Sequence, residues 1–274
     1  MTTETLALTP RDASLLRDPA IARYSVGGVP VAATTMDGLA RSVERRLALG
    51  RAAPGTYVVF CGAHGVVDSQ DDPALLAAHE RAFLVCPDGR PLFWVGRLRG
   101  HAVHQVPGIE SVEALCRAGV ARGHRHYFVG GGDGVAVTLA AAMAARVPGL
   151  RVAGAEGLPF RPMTGAEDEA LRARLRDAGA QIVWVGLGTP KQELFMALHA
   201  PHLPGTVAMG VGAAFDVNIG RIRRAPRWMQ RAGLEWTYRL SREPRRLWRR
   251  YGSIVPRFAG LALREELSRR LRAG

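Results

Sequence analysis

The sequence predicts an α/β protein: a Rossmann-like, doubly wound, mostly parallel sheet that carries a basic helical C-terminal appendage. Two patterns lead there. Near-continuous apolar runs rich in Val and aromatic residues alternate with longer amphipathic stretches. Strands without a polar face are buried on both sides, as crossover helices on the two faces of a parallel sheet require. The charge is also uneven. The chain of 274 residues has a formal net charge of +13, and residues 221–274 hold 16 arginines, 4 glutamates and no lysine. A near-neutral body therefore precedes a strongly basic terminus.

After an N-terminal extension, residues 1–24, the catalytic body is expected over 25–220 and the arginine-rich appendage over 221–274. VPVAATT (29–35) reads as a strand, followed by a helix through MDGLARSVERRLALG. TYVVFC (56–61) and FLVC (83–86) flank a helix near PALLAAHERA. HYFVGG (126–131) precedes the alanine-rich helix VAVTLAAAMAARV. RVAGAEG precedes AEDEALRARLRDAG, and QIVWVGLG (181–188) precedes PKQELFMALHA. TVAMGVG (206–212) is the last clear strand. Beyond it, Trp236, Leu240, Leu247 and Tyr251 recur at roughly helical spacing, interrupted at Pro244, which suits the first turn of a second helix. In the final stretch, IVPRFAGLALREELSRRLRAG, Phe258, Leu261, Leu267 and Leu271 fall on one side with the arginines elsewhere. That is a basic amphipathic terminus.

The N-terminus shows no basic segment followed by an apolar run, and no 18 consecutive residues are apolar. A cleaved signal and a spanning helix are not expected, so the sequence predicts a cytoplasmic protein. Cys61, Cys86 and Cys116 are odd in number and without CxxC spacing, which suggests buried thiols rather than disulfides or a zinc site. No metal-ligand spacing and no nucleophile elbow is present, so neither a metal nor covalent catalysis is expected.

In a sheet of this kind ligands bind beyond the carboxyl ends of the strands. Five of those ends are rich in Gly and polar groups. In VGGGDG, Gly130, Gly131 and Gly132 let backbone N–H groups approach an anion at a helix start, although the spacing is not that of a dinucleotide fingerprint or a P-loop. In CPDG, Asp88 is either a general base toward a hydroxyl or simply a turn residue, since Pro-Asp-Gly favours turns. In GLGTPKQEL, Thr189 or Pro190 can cap the next helix, while Gly188, Lys191, Gln192 and Glu193 offer contacts to a sugar or phosphate. Asp216 is another strand-end carboxylate, and His64 is either a base or a packed polar side chain.

Taken in order, PDG (87–89), VGGGDGVA (129–136), GLGTPKQELFM (186–196), GVGAAFDVNIGRIRRAPRWM (210–229) and GLEWTYRLSREPRRLWRRY (233–251) resemble the WecG/TagA/CpsF family of bacterial glycosyltransferases. The resemblance spans roughly residues 25–252. It implies a metal-independent, inverting transfer of a sugar from a UDP-sugar to a hydroxyl of a lipid-pyrophosphate-linked saccharide. It also implies work at the cytoplasmic face of the plasma membrane, in cell-surface or exopolysaccharide synthesis. On that likeness Asp88 is the general base and Gln192 belongs to the donor pocket. The appendage then closes the site on the membrane, with Arg239, Arg242, Arg246 and Arg249 as candidates for the diphosphate. The implied partners are a UDP-sugar, the lipid-linked acceptor and an anionic membrane surface, with no cofactor and no nucleic acid.

The chain departs from the family pattern at two places. Where relatives carry Thr or Asn after the second strand it has Cys61 and Gly62, with His64 a candidate substitute, and where they carry Arg it has Gln105. Two rival classes remain: a nucleic-acid-binding protein, suggested by the basic, aromatic terminus, and a catalytically silent membrane-bound scaffold of the same fold. A substrate-sized crevice argues against the first, and retention of Asp88 with the PKQE block against the second.

Overall fold

The computed structural model describes residues 17–273, the side chains of Arg246 and Ala273 excepted. Residues 1–16 of the expected N-terminal extension lie outside the described residues. The chain opens with an antiparallel hairpin, β1 (Arg23–Val26) and β2 (Val29–Ala32), separate from the main sheet. The expected strand at 29–35 thus ends early and pairs locally instead of joining the parallel sheet. Its partner, RYSV, is too short and mixed to stand out in the apolar pattern. Gly27 and Gly28 turn the hairpin at φ 57° and 81°, and a two-residue turn with both φ positive matches the twist of the flanking strands.

The other strands are β3 (Thr56–Cys61), β4 (Leu84–Pro87), β5 (Arg125–Gly130), β6 (Arg151–Glu156), β7 (Ile182–Gly186) and β8 (Val207–Gly210). They form one parallel sheet in the order β4-β3-β8-β7-β5-β6, so the predicted α/β class is the observed one. Successive side chains of a strand point to opposite faces, and β3 divides accordingly. Val58 and Phe60 enter one core layer with α1 (Met36–Ala48), α5 (Gly108–Gly119), α6 (Val135–Arg146) and α9 (Ala214–Asn218). Tyr57, Val59 and Cys61 enter the other with α2 (Ala63–Asp71), α7 (Gly165–Asp177), α8 (Lys191–His199) and the hairpin. α3 (Pro73–Arg81) packs on α8, and α4 (Arg90–Leu98) follows β4. All three cysteines are buried and unpaired.

Capping explains several helix starts. Thr35 accepts from the Gly38 N–H ahead of α1, and Asp72 accepts from Ala74 and Leu75 ahead of α3. Thr164 and Glu167 form a reciprocal capping box at α7.

The C-terminal segment is helical: α10 (Arg227–Arg231), α11 (Glu235–Arg242) and α12 (Pro244–Ala273). The break falls at Pro244, which opens α12. Pro256 sits inside that 30-residue helix, so the final amphipathic stretch continues the same helix. Leu247, Ile254 and Phe258 of α12 are buried, and the last two join the second core layer against α2. Burial of side chains of this size is worth ~2 kcal/mol each. The apolar stripe expected through Leu271 divides: Phe258 and Leu261 face the body, whereas Leu267 and Leu271 are 53% and 84% exposed. Arg99 marks the end of docking, pairing with Glu265 at 3.1 Å and Glu266 at 3.4 Å.

Candidate active site

The carboxyl ends of the strands form one rim, and the candidate residues divide along it. Asp88 follows β4 and His64 follows the adjacent β3. The two turns touch: the Asp88 N–H donates to the Cys61 carbonyl at 3.0 Å, and an added side chain at Gly89 would lie 3.5 Å from Gly62 Cα. Gly130 ends β5 and Gly131 and Gly132 follow it, four strand positions from β4. At the usual interstrand spacing that separation is ~19 Å. One ligand reaching both sites must span the rim.

The Asp88 side chain is half-buried at the start of α5, where its Oδ1 accepts from the Gly108 N–H at 3.3 Å. Gln105 donates to the Asp88 carbonyl and so braces the PDG turn. Desolvation, then the like charge of Glu235, pushes the Asp88 carboxyl up to about 7, against the lowering influence of the Gly108 N–H and Arg224. His64 moves the other way: burial, then Arg250 and Arg239, lowers it to about 4. Near neutral pH the imidazole is uncharged, while the carboxyl is poised between its two forms. Environments that push two groups apart in this way separate acid and base roles, and they favour Asp88 over His64 as a base.

Beside Asp88 opens a polar cleft of about 450 Å3 whose lining includes Arg90, His104, Gln105, Arg224, Arg227 and Arg231. Its outer wall is the C-terminal segment. Arg90 Nε donates to the Gln230 carbonyl at 3.3 Å, and Gly233 lies so close to Trp94 that an added Cβ would sit 2.7 Å from its ring. Guanidiniums stay protonated and bind phosphate oxygens in pairs, so such a cleft suits a phosphorylated substrate.

The middle of the rim is built differently. Gln192 is 4% exposed, with its amide oxygen accepting from Gly188 N–H at 3.2 Å and its Nε2 donating to the Gly210 carbonyl and to Glu193, each at 3.1 Å. Glu193 is 1% exposed; Oε1 accepts from Thr189 at 3.0 Å, and Oε2 has no hydrogen-bond partner. Burial holds its carboxyl above the ordinary range. Lys191 is exposed at the first position of α8. Asp216 is half-buried in α9, and its carbonyl accepts from Arg221 and Ile222 N–H. Gly131 donates to the Gly186 carbonyl at 2.7 Å and has φ 74°, so part of the glycine requirement at β5 is a close approach of neighbouring strand ends.

The arginines expected at the diphosphate are spread out. Arg239 is exposed, but its charge reaches His64. Arg242 is exposed at the end of α11, and Arg249 lies over the Trp248 ring at 5.5 Å. The Arg246 side chain is outside the described residues. Arg250, which the sequence reading passed over, pairs with Asp68 at 3.7 Å and acts on His64. Its signal was helical register: three residues after Leu247 and four before Ile254, it lies on the face those side chains bury. Cys61 turns into the core, and burial raises its thiol well above the usual value, so it offers no polar contact at the rim. Among the described residues no group of three or more His, Cys, Asp or Glu is placed to hold a metal ion, and no helix is long and apolar enough to cross a membrane.

A parallel α/β rim presenting a carboxyl poised near neutrality beside a guanidinium-lined cleft has the form of a group-transfer site. The sequence profile of the glycosyl transferase WecG/TagA/CpsF family matches residues 24–272, and the chain belongs to that family. It is a glycosyltransferase.

Proposed function

We propose that the enzyme moves a sugar from a UDP-sugar to a hydroxyl of a lipid-pyrophosphate-linked saccharide, with inversion and without a metal, at the inner face of the plasma membrane. The observation that carries this reading is Asp88, a carboxyl pushed up to about 7 on a turn whose neighbours Arg90 and Gln105 line an arginine-rich cleft. A sugar hydroxyl is a poor nucleophile until its proton is removed. In the proposed step the acceptor oxygen bonds the anomeric carbon, its proton passes to Asp88, and the bond from that carbon to the diphosphate oxygen breaks with its electron pair leaving on UDP. Arg90, Arg227, Arg231 and the arginines of α11 and α12 are the groups available to stabilise that charge.

Residues 25–220 then act as the catalytic body and 221–274 as a membrane-facing appendage. Trp248, Val255, Leu263, Leu267 and Leu271 are exposed on α12 among arginines, a composition that suits an anionic bilayer surface. The test is transfer from a panel of UDP-sugars to a synthetic lipid-pyrophosphate saccharide, with and without EDTA. Transfer that survives EDTA supports the reading. Absence of transfer across the panel removes the donor assignment, and EDTA-sensitive transfer removes the metal-free mechanism.

A further inference from the structure

The C-terminal segment reaches the base through one ion-pair bridge. Arg224, in the loop between α9 and α10, binds Glu110 Oε1 at 2.7 Å through Nη1 and Glu235 Oε1 at 3.1 Å through Nε. Glu110 stands in the first turn of α5, two residues after the amide that holds Asp88, and Glu235 is the first residue of α11. A body carboxylate and an appendage carboxylate are thus joined across one guanidinium, and Glu110 and Arg224 line the cleft.

We propose that Glu235 and Arg224 are positioning residues that couple docking of the C-terminal segment to the protonation of Asp88. The inference rests on the reading of Asp88 as the base. When α11 is seated, Glu235 adds negative charge close to Asp88 and Arg224 adds positive charge, and the two act in opposite directions on its carboxyl. Glu110 acts in the same sense as Glu235. The other titratable groups around Asp88 are the buried thiols of Cys61 and Cys86, both raised partly by the Asp88 charge, while Arg90, His104, Arg227 and Arg231 line the same cleft. With the segment undocked Asp88 loses the water-excluding wall together with Glu235 and Arg224; desolvation and Glu235 outweigh Arg224, so its carboxyl falls toward the ordinary range and it becomes a weaker base. Closure thereby brings proton affinity and substrate shielding together.

Replacing either partner breaks the same ion pair, yet the two replacements move Asp88 in opposite directions. In full-length protein labelled with 13C-carboxyl aspartate, with the Asp88 resonance assigned by its loss in Asp88→Asn, Glu235→Gln shifts the titration down by roughly half a pH unit or more. Arg224→Gln shifts it up by a similar amount, Arg224→Lys leaves it near the wild-type position, and Glu110→Gln gives a smaller downward shift. A bridge that only held the fold together would lower melting temperature in each variant and move the titration in none. Unmoved titrations, or shifts of one sign for Glu235→Gln and Arg224→Gln, overturn the proposal. The acidic limb of the kcat/KM profile is measured in parallel. Titrations that move as stated without a matching move of that limb remove Asp88 from the base role and leave the coupling standing.

Discussion

Asp88, after the edge strand β4, and the PKQE block, after the interior strand β7, put similar residue types at strand ends to different uses. After β4, the Asp88 carboxyl takes one amide hydrogen bond and is half-buried, with its neighbours Arg90 and Gln105 lining a cleft. After β7, Gln192 and Glu193 turn inward, and their polar atoms bind Gly188, Thr189 and Gly210 across the β7–β8 junction. A polar residue at a strand end therefore has two outlets: a ligand, or the backbone of the neighbouring strand. The outlet depends on how closely the neighbouring turn approaches. At Gly212 an added Cβ would lie 3.4 Å from Gly188 Cα and 3.2 Å from the Gln192 amide oxygen, so the turns pack closely over Gln192, which is almost fully buried.

The largest test of this contrast is Asp88→Asn, which is expected to lower kcat by ~10^2 to 10^4 while preserving donor binding and thermal stability. Unchanged turnover would erase the distinction from the catalytic side. Gln192→Ala should act in the opposite register. Losing the amide removes its bonds to the Gly188 N–H, the Gly210 carbonyl and Glu193 in a buried place, and a destabilisation of ~1–3 kcal/mol should appear in urea unfolding. Unaltered stability with a raised KM for donor would instead make Gln192 a ligand residue.

The pH dependences should also diverge. For wild type, kcat/KM is expected to rise with pH through a midpoint near 7, because Asp88 must lose its proton to serve as base. Glu193 should register in stability. Its folded-state carboxyl lies above the ordinary range, so the folded state holds a proton that the unfolded state releases first. Its contribution is present at low pH and is lost as pH rises through the ordinary glutamate range toward the folded value. Glu193→Gln removes that proton, and thermal melts at several pH values should show a flatter profile than wild type; an identical slope would place Glu193 nearer solvent. The smallest effect on the fold is expected from Trp248→Ser with Leu267→Ser. Both side chains are exposed, so stability should move by about 0.5 kcal/mol or less while sedimentation with anionic vesicles falls. Undiminished sedimentation would place the membrane contact elsewhere.

Much of this was legible in the chain. TYVVFC is β3, and the helix break before Pro244 stands where the proline chemistry put it. The place of Asp88 at a strand end was readable because Pro-Asp-Gly follows an apolar run. The hairpin partner β1 was not, because four residues of mixed polarity carry no period. Arg224, Glu110 and Glu235 were also out of reach, being separated by more than a hundred positions in one case and by a helix in the other.

Local interactions determined what the sequence by itself determined: strand and helix identity follow from apolar period, capping and glycine or proline backbone limits, all set within a few residues. Only the tertiary structure decided that Asp88 stays open while Gln192 closes on itself, and that a C-terminal glutamate bears on a carboxyl far back in the chain. Charge and desolvation act through space, and burial is a property of the neighbours that folding brings together.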